Sequence, residues 1–146
     1  MDQATKWQAF SLVSRDASAT ISIIPGVLQL AAERHNGAAF GLLQGRNELL
    51  ILISVLALAA VGVMAFFAAN KLQAFGLGLI GAGALGNLID RVFLGHVRDF
   101  IDVRFWPTFN VADSLITVGA ALLIWQAFSR RPRKKKSSLE IPTSSE

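Results

Sequence analysis

The sequence predicts an all-α integral membrane protein, with three visible transmembrane helices and a small external β-hairpin. Three observations predict it. Hydrophobic residues make up 53% of the chain and charged residues only 16%, where a soluble domain carries about 25% charged residues. Three apolar stretches reach the length that a bilayer core of about 30 Å requires. The basic residues collect at one flank: Arg130, Arg131, Arg133 and Lys134 to Lys136 belong to one tail, among fourteen Lys and Arg in all.

The same composition excludes several classes of function. The chain has no cysteine, so disulfides, thiolate nucleophiles and cysteine-ligated zinc are ruled out. Its only histidines, His35 and His96, lie far apart, and no HExxH or comparable spacing occurs. No metal and no organic cofactor are expected. A net charge of +4 can indicate nucleic acid, but the basic tail reads more simply as a cytoplasmic membrane flank. No nucleic-acid partner is expected.

Taken in order, the segment Met1 to Arg15 is too short and polar to span a bilayer, and it lacks the basic start and apolar middle of a signal peptide. Asp2, Gln3, Thr5 and Lys6 precede Trp7, which predicts an interfacial start with Trp7 at the headgroups. Thr20 to Ile24 is β-branched, Pro25-Gly26 is a turn signal, and Val27 to Leu30 resumes an extended pattern. The predicted hairpin lies outside the hydrocarbon, because an open sheet edge cannot face lipid. Asn36-Gly37 is a turn pair followed by small residues. The segment reads equally as a surface loop and as a site of close backbone approach.

Leu49 to Ala69 is the first span, with no charge in it. Asn70-Lys71 is a short polar connection, and Leu72 to Ile89 is the second span. Gly78, Ala82 and Gly86 recur every four positions, a small-residue face on which another helix can pack closely. Asp90 to Asn110 holds three Asp and three Arg and is expected to be an interfacial loop, with Trp106 for the headgroup zone and Pro107 as a breaker. Val111 to Phe128 is the third span, charged only at Asp113. The organisation expected is an external segment 1–48, a transmembrane domain 49–128 and a basic cytoplasmic tail 129–146. Two spans separate Lys71 from the tail, so the positive-inside rule puts both in the cytoplasm. The hairpin and the Asp90–Asn110 loop then face the opposite side.

Ionisable groups at the mouths of membrane-length segments are costly and are functional candidates by default. Asp99 and Asp113 are the candidate pair. Two carboxylates about 3 Å apart share a proton. One can activate water while the other protonates the carbonyl and the leaving amine. A Ser-His or Cys-His alternative has no support, since Ser114 has no nearby His in sequence. Other roles remain open: Asp113 as a first-turn acid complementing a helix dipole, and Asp99 in a surface salt bridge with Arg98 or Arg104. Asp90-Arg91 reads as a local or bridging ion pair ordering the loop. Asn87 and Asn110 are amides able to orient the pair or a substrate backbone, and Asn110 also suits a helix N-cap.

These residues carry a family resemblance. Gly86 to Val103, GNLIDRVFLGHVRDFIDV, followed by Phe109 to Gly119, FNVADSLITVG, resembles the lipoprotein signal peptidases (signal peptidase II). Asp2 to Lys6, DQATK, is similar to that family's DQxTK, and Asn36 to Gly41, NGAAFG, to its NxGAAF segment. The four matches stand in family order and cover nearly everything but the tail. The resemblance implies an aspartyl endopeptidase of the bacterial inner membrane, active on the periplasmic side. It would cleave signal peptides from diacylglyceryl-modified prolipoproteins, just before the lipidated cysteine. It implies Asp99 and Asp113 as the catalytic pair. Asn36, Asn87, Asp90, Arg91 and Asn110 are implied to bind or support substrate, and Asp2 and Lys6 to be structural. The implied partners are the prolipoprotein and membrane lipid, and the implied state is a monomer. The family fold has four transmembrane helices and a β-cradle. DQxTK closes the first of those helices, so a truncated or absent first helix before segment 1–48 is expected here. Two other readings compete with the enzyme: a small transporter using Asp99 and Asp113 as proton or cation sites, and a scaffold whose charged loop docks a partner.

Overall fold

A computed structural model describes residues 2–13, 20–35 and 45–129. The element order is α1 (Asp2–Val13), β1 (Thr20–Ile24), β2 (Leu28–His35), α2 (Asn47–Phe66), α3 (Lys71–Leu94), β3 (Val97–Val103), β4 (Trp106–Phe109) and α4 (Val111–Ser129). Three of the helices, α2, α3 and α4, are long and apolar enough to cross a membrane. Their outward residues are large and apolar, including Leu52, Leu56 and Val63 on α2 and Ile124 and Phe128 on α4. In water such a surface would associate; in lipid it is solvated.

α3 is the central helix, packed against both α2 and α4. Asn70 caps its start by accepting the Gln73 backbone N–H at 2.9 Å. Gly95 ends it in the left-handed conformation, φ 78°, where a residue without Cβ is favoured. The contact with α4 is set by glycines. A Cβ on Gly119 would lie 2.6 Å from the Gly76 carbonyl oxygen, and one on Gly83 would collide with the Ala112 carbonyl oxygen. The close-packing face therefore runs through Gly76, Gly83 and Gly86. The expected face of Gly78, Ala82 and Gly86 is corrected by this: Gly78 and Ala82 are exposed, and Gly78 has open space around it. A four-residue repeat marks a small-residue helix but does not say which of its faces meets the neighbour.

The expected hairpin is present and is half of something larger. A four-stranded antiparallel sheet runs in the order β1-β2-β3-β4. The β1–β2 turn is closed by the Val27 N–H donating to the Ile24 carbonyl, with Gly26 at φ 74°. β2 pairs with β3 so that Glu33 opposes Asp99 and Leu30 opposes Ile101.

Residues 90–110 are thus not a loop. α3 continues through Asp90 and Arg91 to Leu94, and β3 and β4 follow. The apolar run stops at Ile89, but a helix can carry charge further where that charge is buried and paired. In β3 the charges likewise obscured a strand: Val97, Asp99 and Phe100 are all buried.

The N-terminal segment is a helix whose buried positions are Asp2, Lys6, Ala9 and Val13, one stripe at helical spacing. Asp2 and Lys6 point into the protein, while Trp7 is 68% exposed.

Candidate active site

Every polar residue that organises the site lies where one element meets another. Asp2, Gln3 and Lys6 come from α1, Asn87, Asp90 and Arg91 from the end of α3, Arg98 and Asp99 from β3, and Asn110 and Asp113 from the entry to α4.

The lower layer is a buried ion cluster. Lys6 is fully buried, with its Nζ 2.9 Å from Asp2 Oδ2 and 3.2 Å from Asp90 Oδ2. It also donates to Asn87 Oδ1 at 3.1 Å. Asp90 is fully buried too. It accepts from Gln3 Nε2 at 2.9 Å, from the Arg98 backbone N–H at 3.0 Å and from Arg98 Nη2 at 2.9 Å. Arg98 Nη2 donates as well to Gln3 Oε1. Asp2 Oδ1 accepts the Ala112 backbone N–H at 3.0 Å, which fixes the start of α4. A buried charge is tolerated when it is both paired and hydrogen-bonded, and each of these is. The expected Asp90-Arg91 pair is corrected: the hydrogen-bonded partners of Asp90 are Arg98, Lys6 and Gln3.

The upper layer holds the candidate carboxylates. Asn110 and Asp113 form a reciprocal cap at the start of α4. The Asp113 N–H donates to Asn110 Oδ1 at 3.0 Å, and the Asn110 N–H donates to Asp113 Oδ2 at 3.1 Å. The side-chain amide of Asn110 then reaches Asp99 Oδ1 at 2.6 Å and Asn87 Oδ1 at 3.1 Å. Asn87 Nδ2 donates to the other oxygen of Asp113 at 2.8 Å. One residue, Asn110, thereby holds both Asp99 and Asp113, through its side chain and its backbone respectively. Asp99 is 6% exposed, buried and not at the surface as a surface salt bridge would have it. The charge of Arg91 acts on Asp113, Asp99 and Asp90, and its carbonyl accepts from Asn47 Nδ2 at 3.0 Å, tying α2 to the site.

Asp113 also lines a cavity of about 440 Å³. Its walls are Val103, Trp106 and Phe109 of the β3–β4 hairpin, and Ser114, Thr117 and Val118 of α4. A mostly apolar cleft with one carboxylate at its edge can take an extended or acylated chain and present one polar bond to that acid.

The structure links Asp99, Asp113, Asn87, Asn110 and, through Lys6, Asp90 in one network, with Arg91 next to Asp90 on α3. Asn36 lies outside the described residues. Gln3 and Arg98 were not singled out, although both are needed to satisfy Asp90. Their common partner lies 87 and 8 positions away, and no local pattern reports such a contact.

Comparison with known proteins gives the family. The family model described as signal peptidase (SPase) II matches residues 1–129. A lipoprotein signal peptidase of Syntrophomonas wolfei is 42% identical over 126 residues, covering 85% of this chain and 83% of the relative. One from Pelotomaculum thermopropionicum is 38% identical over 138 residues, covering 93% and 90%. A solved structure described as a bacterial membrane enzyme superposes with a TM-score of 0.81 at 34% identity, covering 95% of this chain and 87% of that one. With the motif residues assembled in one place and the match running through every described element, the chain belongs to the signal peptidase II family of membrane peptidases.

Proposed function

We propose that this protein is an aspartyl endopeptidase of the bacterial inner membrane. It removes the signal peptide from diacylglyceryl-modified prolipoproteins, cutting before the lipidated cysteine. The observation that carries the reading is the Asn110 clamp: a single residue holds Asp99 and Asp113, and Asp113 borders the apolar cavity.

The chemistry needs one carboxyl protonated and one ionised. The ionised carboxylate takes a proton from water as the water oxygen bonds to the scissile carbonyl carbon. The protonated carboxyl gives its proton to the carbonyl oxygen, forming a gem-diol. The gem-diol then returns a proton to the second carboxylate, while the first delivers its proton to the amine nitrogen. The C–N bond breaks, and both carboxyls end in their starting states. Asn87 and Asn110 hold the pair in place, and Arg91 supplies positive charge that acts on both acids. The substrate's apolar portions lie along the cavity walls formed by Trp106, Phe109 and Val118. Lys71 and the basic tail on the cytoplasmic side put the site at the periplasmic surface. Asn36 is expected to contribute to substrate binding.

The test is a reaction in lipid vesicles with a diacylglyceryl-modified prolipoprotein and its unmodified counterpart, with products read by mass spectrometry. The expected result is cleavage of the modified protein only, leaving a lipidated cysteine as the new N-terminus. Cleavage at another bond, or none, would overturn the reading. Transport and scaffold roles have no such product.

A further inference from the structure

Asn87 joins the buried ion cluster to the candidate catalytic pair. Its amide orientation is set from behind. Asn87 Oδ1 accepts from Lys6 Nζ and from Asn110 Nδ2, each at 3.1 Å. Rotating the amide by half a turn would set its NH2 against an ammonium and another NH2, leaving all three donors opposed. The NH2 of Asn87 therefore has to point at Asp113 Oδ1, which it meets at 2.8 Å.

Lys6 is suited to impose this. An ammonium has three protons and no acceptor, and three acceptors take them: Asp2 Oδ2, Asp90 Oδ2 and Asn87 Oδ1. Fully buried, it has no water to turn to. The cluster of Asp2, Lys6, Asp90 and Arg98 is neutral as a set, so Lys6 is not a surplus charge attracted to the acids above it.

We propose that Lys6 is a positioning residue for Asp113: acting through the Asn87 amide, it presents Asp113, and not Asp99, as the carboxylate that takes the proton from the attacking water. Three observations agree. Both oxygens of Asp113 face N–H donors, from Asn87 and from the Asn110 backbone, and an ionised carboxylate is an acceptor only. Asp113 stands in the first turn of α4, where the helix N-terminus faces an anion. It also borders the cavity, whereas Asp99 is buried. The charge of Arg91 acts on Asp113 ahead of Asp99. In this assignment the proton passes from water to Asp113 and later to the leaving amine, while Asp99 exchanges its proton with the carbonyl oxygen.

The inference rests on Asp99 and Asp113 being the reacting pair. Its test is a double-mutant cycle on the lipid-embedded protein with a diacylglyceryl-modified prolipoprotein. One change is the charge-neutral pair Asp2→Asn with Lys6→Met, which leaves Asp90 paired with Arg98. The other is Asn87→Ala. The paired change is expected to lower kcat by about tenfold or more with KM little altered, and to lower it no further once Asn87 is alanine. Losses that multiply independently, or a loss carried by KM, would overturn the proposal, since a merely structural role acts without Asn87. A second measurement needs no change to the cluster and decides the matter if the paired variant does not fold. The side-chain amide protons of Asn87 in the unsubstituted protein are expected to resist exchange with solvent, and Asp113→Asn to release them. Exchange as fast as that of the exposed Asn70 would overturn it. If the unsubstituted protein cleaves nothing, the functional reading fails, and amide exchange, repeated in the Asp2→Asn with Lys6→Met variant, still decides whether Lys6 holds Asn87 toward Asp113.

Discussion

Asn110 does two jobs with three polar groups. Its side-chain oxygen caps α4, its backbone N–H holds Asp113, and its amide NH2 holds Asp99. Asn110→Ala removes the cap and one of the two clamps. The expected loss is about 1 kcal/mol of stability from the cap and a fall in kcat of about a hundredfold or more from the misplaced acids. Asn110→Asp keeps a capping oxygen but replaces the NH2 with an acceptor facing Asp99, so it should remain folded in a thermal melt and be inactive. Lys6→Met alone leaves Asp2 and Asp90 buried with too little positive charge, and should cost about 3–5 kcal/mol in unfolding free energy. Single residues were largely legible in the sequence: Asp99, Asp113, Asn87 and Asn110 stand out as polar groups bordering apolar runs. Gln3 and Arg98 were not, because what makes them necessary is the burial of Asp90, a tertiary fact.

Among the elements, the spans were legible and their ends were not. Apolar length alone locates α2, α3 and α4, since a bilayer demands about 20 such residues. The last turns of α3, however, look like loop in a sequence because Asp90 and Arg91 break the apolar run. Strand β3 looks like loop for the same reason, and β4 does because Pro107 reads as a breaker. The sequence shows charge but not the partners that allow it to be buried. The glycine face illustrates the limit from another side. Gly78 and Gly83 are equally helical glycines, yet only Gly83 meets α4. Gly83→Ala should therefore destabilise the protein by about 1–3 kcal/mol through forced separation of α3 and α4. Gly78→Ala, in open space, should leave the melting temperature unchanged or slightly raised. Equal effects of the two changes would mean that α3 does not present this face to α4.

On the scale of the whole molecule, the site is a junction. α1 closes it from one side by burying its polar stripe against α3, β3 and the start of α4. The sheet supplies one acid and a wall of the cavity, and α4 supplies the other acid and the opposite wall. Composition predicted the membrane environment, and the basic residues predicted the orientation, with Lys71 cytoplasmic and the β3–β4 hairpin periplasmic. The absence of cysteine makes this orientation easy to check in intact cells. A membrane-impermeant thiol reagent should label Arg104→Cys and spare Lys71→Cys until the membrane is opened; the reverse pattern would turn the protein over.

The claim on which the rest depends is that Asp99 and Asp113 react as a pair. The most direct measurement is kcat for a diacylglyceryl-modified prolipoprotein with the unsubstituted protein, Asp99→Asn and Asp113→Asn, each in lipid and each shown folded by its thermal melt. The account predicts cleavage by the unsubstituted protein and a loss of at least about a hundredfold in either variant. A folded variant of either kind that cleaves at close to the unsubstituted rate would contradict it.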